Sequence, residues 1–324
     1  MRRLSRDSSG SVAVLMAVGL LAMGTATAVG VDYARGLNFK SALQGAVDSA
    51  AIAGATAYVN AGASGTATST ANSYMTTAIN SLPTNNGVTS SASTSSNSTG
   101  YSVTVTASAT ITASFTGLFI NAIPVSVKAK AINPIVTVNF NLGNFSSSAW
   151  DANTVYYYLL KNDGSLPTGS ELVKVYTNTS TINPNPAAVS VSSTQKIGFA
   201  LKNVTGGNNG YGRNGYGGAQ GSTHWFYSHI SPISHNAYSS VNKNCSLQVY
   251  TVPSSGVWPA TVAGCTTSNP SLATVSCATA KSQILLFAWN DMGGGSDDLD
   301  YDDAKYTFAC SGSGGSSTEV YLAL

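Results

Sequence analysis

Residues 12–31 read VAVLMAVGLLAMGTATAVGV, and residues 32–59 continue as DYARGLNFKSALQGAVDSAAIAGATAYV. The first stretch carries no charge over twenty residues, the length an α-helix needs to cross the hydrocarbon core of a bilayer. Arg2, Arg3 and Arg6 precede it, so the positive-inside rule leaves the N-terminus in the cytoplasm and exports the remainder. In the second stretch Leu43, Val47, Ala50 and Gly54 recur at helical spacing, with Lys40, Gln44 and Asp48 on other faces. One helix is therefore expected from about residue 11 to about residue 59, its first half in lipid. Its second half is Ala-rich and weakly hydrophobic, a surface suited to close packing against another helix. Ala22, Ala26 and Gly30, four apart, form a small-residue stripe of the kind that lets membrane helices approach. The plainer account is that small residues abound here. Ala26-Thr27-Ala28 also has the form of an A-x-A cleavage site behind an apolar core, and cleavage there would release a chain beginning at Val29.

Composition constrains the rest of the chain. Charged residues make up 9% of the 324, and Glu occurs only at Glu171 and Glu319. Solvated helices draw support from long charged side chains, so their scarcity argues for strands and loops beyond the N-terminal region. The net charge of +2 has no basic patch with interleaved aromatics behind it, which leaves nucleic-acid binding without support.

Residues 61–100 are dominated by Ser, Thr, Asn, Ala and Gly, and SSASTSSNSTG at 90–100 reads as a loosely ordered connection. Beyond it, Tyr101, Val103 and Val105, then Val125 and Val127, alternate with small polar residues, the period of a strand. Asn133-Pro134 is the preferred boundary, which divides the chain into three parts. These are a membrane anchor with helical extension (1–60), a Ser/Thr-rich connection with a small β-region (61–133), and an exported β-domain (134–324). In the last part IVTVNFNL, TVYYYLL, ELVKVYT, KIGFALKNV, SLQVYTV, QILLFAW, AKYTFAC and EVYLAL are separated by Gly, Asn, Pro and Ser clusters. Short β-branched and aromatic runs between turn signals predict an antiparallel β-sandwich. The fold class expected for the chain is α+β.

The strongest chemical signal is AWNDMGGGSDDLDYDDAKY at 288–306. Asp291, Asp297, Asp298, Asp300, Asp302 and Asp303 fall within thirteen residues that hold no Lys or Arg. Carboxylates crowded this way repel one another unless a cation neutralises them. Calcium takes six to eight oxygen ligands, and carboxylates on a glycine-containing loop can supply them, with Asn290 adding an amide oxygen. Gly293, Gly294 and Gly295 permit the tight backbone path this requires. Magnesium keeps more of its waters, and transition metals recruit His or Cys. A solvated acidic turn is the alternative. No Glu closes a twelve-residue loop, so the pattern is not that of an EF-hand.

Cys245, Cys265, Cys277 and Cys310 all lie in the last 80 residues, with no C-x-x-C pair and no zinc-like spacing. An even set in one exported domain reads as two disulfides, with three pairings open; four buried free thiols are the alternative.

Two stretches resemble known families. Gly10-Ser11-Val12-Ala13-Val14, Val31-Asp32-Tyr33 and the run from Leu43 to Gly54, LQGAVDSAAIAG, resemble the N-terminal region of TadE/TadG-like proteins of the Flp (tight adherence) pilus assembly machinery. The resemblance continues more loosely over residues 101–132. It implies a pilin-like helix that meets other assembly subunits through residues 12–59, in a single-pass protein of the bacterial inner membrane. Leu15 stands where a processed pilin carries Glu, and the D-x-S-x-S motif of longer TadG proteins does not occur. Trp289-Asn290-Asp291 and the run Asp298-Leu299-Asp300-Tyr301-Asp302-Asp303 resemble the F-E-D and D-x-D-Y-N-D phrases of a C-terminal domain of bacterial exported proteins. That resemblance implies a calcium-associated β-rich surface module, used for adhesion or assembly through an unidentified surface ligand.

Catalytic signals are sparse. His224, His229 and His235 lie in HWFYSHISPISH, a loop by its Pro232, where they could bind a metal or activate Ser228. No G-x-S-x-G elbow, P-loop or paired glutamates occur. GGNNGYGRNGYGGAQG at 206–221 lacks the Lys of a phosphate loop and reads as a surface loop, adhesive through Tyr211 and Tyr216. The expectation is a non-enzymatic, membrane-anchored pilus-assembly or pilus-associated protein with a calcium-binding outer domain. Two alternatives are carried: a secreted calcium-dependent adhesin or carbohydrate-binding module released after Ala28, and a hydrolase using the acidic loop or the histidines.

Overall fold

The computed structural model describes residues 9–82, 87–114, 122–144, 151–179, 188–206, 221–230, 234–235, 247–252, 274–281, 283–290, 301, 303–312 and 317–323. Its architecture is α+β. Helix α1 runs unbroken over Ser9–Ala57 and is long and apolar enough to cross a membrane. Over residues 12–31 its side chains are exposed save for half-buried Ala28; from Asp32 onward one face is covered. The covered face includes the line Leu43, Val47, Ala50 and Gly54, as the spacing predicts.

A second helix, α2, occupies Ser64–Asn80, and a strand, β1, occupies Thr89–Asn97. The stretch expected to be a loose connection is therefore ordered over both elements. The reason lies in small residues. Ala67, Ala71 and Met75 are fully buried, spaced by four along α2, and they pack on α1 where Gly54 permits close approach. A Cβ on Gly54 would stand 3.0 Å from Ala67 O, Ala71 Cβ and Val103 Cγ1.

Strand β2 covers Gly100–Thr112 and β3 covers Ala122–Asn144. Every strand pairing among the described residues is antiparallel. Strand β3, 23 residues long, passes through Asn133-Pro134 and belongs to two cores. Val125, Val127, Ala129 and Ala131 join the helix–sheet core with Leu43, Val47 and Val103. Val136, Val138 and Phe140 join an aromatic outer core.

The outer strands are β4 (Ala152–Leu159), β5 (Val173–Thr177), β6 (Val189–Ser192), β7 (Ile197–Val204), β8 (Thr223–Tyr227) and β9 (Ser234–His235), followed by β10 (Leu247–Val252), β11 (Ile284–Trp289), β12 (Ala304–Gly312) and β13 (Tyr321–Ala323). A short helix, α3, spans Cys277–Ala280. One sheet runs β1-β2-β3-β12-β11-β10, with β6 and β13 also on β3; the second runs β5-β4-β7-β8-β9. Both sheets contribute to the outer core. Phe199 of the second sheet meets Phe287, Tyr306 and Phe140 of the first at ring-centroid distances of 4.3, 5.4 and 6.2 Å. Aromatic residues suit this position because their large apolar area offsets the loss of chain entropy. A disulfide joins Cys277 of α3 to Cys310 of β12; Cys245 and Cys265 lie outside the described residues.

The two cores are joined by polar contacts at the end of α1. The last carbonyls of a helix lack partners within it. Here Thr194 Oγ1 donates to Thr56 O at 2.9 Å, Asn133 Nδ2 to Tyr58 O at 3.3 Å, and Ser192 Oγ to Val59 O at 2.8 Å. Asn133, fully buried, also donates to Thr194 Oγ1 at 2.6 Å and accepts from Ser193 Oγ at 2.8 Å.

Candidate functional site

The acidic run is the connection of a hairpin. β11 and β12 pair with Trp289 opposite Ala304, so residues 290–303, which hold all six aspartates, begin and end on adjacent strands. The flanks are firmly seated. Trp289 and Tyr306 are fully buried, and Trp289 Nε1 donates to Tyr306 Oη at 3.1 Å. Asn290 is buried with no exposure. Tyr301 is also fully buried, packs with Ala288, and adopts a φ of 53°. A bulky residue in the left-handed region costs free energy, so burial of the Tyr301 ring offsets a backbone conformation that it would otherwise avoid. Asp303 is half-buried beside it.

Asp291, Asp297, Asp298, Asp300 and Asp302 lie outside the described residues, so only Asn290 and Asp303 of the seven expected ligands are seen in place. Among the described residues no three His, Cys, Asp or Glu side chains converge as a metal site. The donor set fits calcium in its chemistry, being oxygen throughout.

Position along the molecule is clear. α1 and β3 run side by side in one direction: Gly36 lies against Ile123, Gln44 Nε2 donates to Lys128 O at 3.1 Å, and Tyr58 meets Asn133. The spans agree, since residues 36–58 of a helix and 123–133 of a strand each rise roughly 33 Å. β3 then continues to Asn144, which pairs with Lys305 at the start of β12. The acidic hairpin therefore sits at the end of β3 farthest from the apolar half of α1, up to roughly 70 Å along the strand from its start.

The second sheet ends at the same level. Tyr176 meets Tyr306 and Tyr157 meets Phe140, so the two sheets are aligned end to end. At this end a polar network closes the β4–β7 pair. Asp151 Oδ1 accepts from Gly206 N at 2.7 Å and its Oδ2 from Asn203 Nδ2 at 2.9 Å. Buried Asn153 accepts from the same Asn203 amide at 3.1 Å. This network anchors the chain where the glycine-rich stretch begins; residues 207–220 of that stretch, Tyr211 and Tyr216 among them, lie outside the described residues.

The histidines fall on different elements. His224 lies in β8 opposite Asn203, which corrects its expected place in a loop, and His235 lies in β9 opposite Trp225. His229 Nδ1 meets Tyr158 Oη at 2.5 Å. Burial pushes the Tyr158 phenol up and the His229 imidazole down. Both effects keep the pair neutral, and the His229 tautomer sets which of the two atoms donates. Ser228 Oγ accepts from Phe199 N at 2.9 Å. His229 is thus tied to Tyr158, not poised on Ser228. Gly198 makes this arrangement feasible: a Cβ there would stand 2.4 Å from the Tyr158 ring.

Two features carry no sequence signal that singles them out. Asn133-Pro134 is marked as a boundary, but Ser192, Ser193 and Thr194, which complete the junction, are ordinary hydroxyl residues. The requirement at Gly198 appears only once Tyr158 crosses over it. Comparison of the chain with protein-family models, with curated proteins and with solved structures returns no match.

Proposed function

We propose that this chain is a membrane-anchored surface-assembly protein of the Flp/Tad pilus type, whose outer domain binds calcium and serves adhesion or assembly. The observation that carries the reading is β3. This single strand starts beside α1 just past its apolar half and ends at the acidic hairpin. A protein that works on a surface needs its ligand-binding end held away from the bilayer, and a strand paired with β2, then β6 and β12, along its course does that. The outer domain, read as a β-sandwich, would be pinned by the Cys277–Cys310 disulfide, which suits an oxidising compartment outside the cytoplasm. Calcium would hold the carboxylates of residues 290–303 together and stabilise the folded state in proportion to its occupancy. The exposed face of α1 beyond residue 32 would meet the helices of other assembly subunits.

The test is expression of the full chain in a Gram-negative host, followed by alkaline washing of membranes and protease treatment of spheroplasts. The expected result is an intact chain in the washed membranes, with its outer domain cut by external protease. A soluble chain whose N-terminus is Val29 would instead make the protein a released adhesin or carbohydrate-binding module.

A further inference from the structure

We propose that β1 is a docking strand for a second copy of this chain, taking up β13 of the neighbour so that the β1-β2-β3-β13 parts of the two sheets join side by side. This inference rests on the membrane-anchored reading above, because anchoring fixes the direction of every copy.

β1 ends the sheet order, and among the described residues no strand pairs with its outer edge. An exposed edge presents unpaired N–H and C=O groups, and proteins usually blunt it with charge, proline, a bulge or short length. β1 has none of these. Its nine residues, TSSASTSSN, keep an unbroken register with β2 from Thr89↔Ser108 to Asn97↔Gly100. No Lys, Arg, Asp or Glu occurs between Asp48 and Lys128, so β1 carries no charge that would repel an approaching strand. Hydroxyl side chains already pair across this sheet: Thr89 with Ser108 at 2.9 Å, Ser91 with Thr106 at 2.9 Å, Ser95 with Ser102 at 2.7 Å. A further strand would extend a sheet whose exposed side chains are already mutually satisfied.

Strand direction selects the partner. α1 and β3 point away from the membrane together, so β2 points toward it, β1 away, and β13 toward it. Antiparallel pairing of β1 with another β1 would invert one copy, driving its apolar helix out of the shared bilayer, and parallel pairing of two β1 strands about an axis normal to the membrane makes the less stable ladder. Pairing of β1 with the neighbour's β13 is antiparallel while both helices keep one direction. β13 lies on the opposite edge of β3 from β2, pairing Tyr321–Ala323 with residues 130–132, and Tyr321 and Leu322 are each 39% exposed. Because β1 and β13 lie on different edges, the contact is head-to-tail and can repeat from copy to copy.

The test uses two tagged full-length chains co-expressed in one host, one carrying Ser93→Cys and the other Leu322→Cys, treated with a short bis-maleimide that reacts only with free thiols. The expected result is a mixed-tag dimer at least tenfold more abundant than with either variant alone. No mixed-tag product would overturn the inference. So would an equal yield from Ser93→Cys alone, since that product is β1 paired with β1 instead of with β13. Alkaline washing of the same membranes reports anchoring separately: recovery of the chain in the wash refutes the anchor whatever the crosslink shows.

Discussion

The two halves of β3 serve cores built on different principles. Below Asn133 the strand faces α1 and α2 across a layer of Ala, Val and Gly54, where stability comes from close backbone approach. Above Pro134 it faces the second sheet across Phe140, Phe199, Phe287, Phe308 and Tyr306, where stability comes from large apolar area and ring contacts. Small residues let a helix lie flat on a sheet but bury little each. Aromatic residues bury much and need a second sheet to receive them. One strand can serve both because alternate side chains along it point to opposite faces, so either core can take the face it needs.

The difference predicts unequal tolerance to substitution. Phe199→Ala removes a ring that touches four others and should cost about 3–5 kcal/mol in denaturant unfolding of the full chain in detergent. Reduction of Cys277–Cys310, which closes a loop of 33 residues, should cost about 3–4 kcal/mol, mostly through the unfolded state. The lower core should fail by crowding instead. Gly54→Val, pressed against Ala67, Ala71 and Val103, should cost about 1–3 kcal/mol and loosen α2, seen as faster amide exchange there.

The joint between the cores sharpens the comparison further. Asn133→Ala leaves the partners at Tyr58 O, Thr194 and Ser193 short of a hydrogen bond and should cost about 1–3 kcal/mol. It should also split a single unfolding transition into two, one for each core. One broad cooperative transition in that variant would mean that β3 alone couples the halves.

The smallest expected effect is in pH dependence. Burial depresses His229 in the folded chain below its ordinary value of 6.5. The unfolded chain therefore binds the proton more readily, and stability falls as pH drops through and below that value. The midpoint should fall more between pH 7.5 and 5.5 in the natural chain than in His229→Asn, which keeps an acceptor for Tyr158.

These contrasts also explain which elements are legible in the sequence. Periodic large apolar residues announce themselves: α1, and the runs of β3, β4, β5, β7, β10, β11, β12 and β13, all fall where the spacing predicts. α2 and β1 are hidden because their buried positions are alanines among Ser and Thr, and a helix whose apolar stripe is Ala67, Ala71 and Met75 looks like a linker. β8 is hidden by its own histidine and aromatics, which suggest chemistry when their first role is pairing with β7. Of the site, the sequence shows which carboxylates crowd together. The hairpin, its buried Trp289 and Tyr301 flanks, and its distance from the apolar half of α1 come only from the folded chain. The choice of Cys310 as partner for Cys277 among three pairings comes from α3 lying against β12; it leaves Cys245 only Cys265, a bond that peptide mapping of the unreduced chain should find.

The most direct measurement is thermal unfolding of the full chain in detergent, unreduced, in calcium and then in chelator, with an Asp298→Asn, Asp300→Asn variant alongside. A calcium-bound acidic hairpin predicts a midpoint raised by several degrees in calcium, a response that the variant loses. Equal midpoints in calcium and chelator would contradict it and reduce residues 290–303 to a solvated turn between two strands.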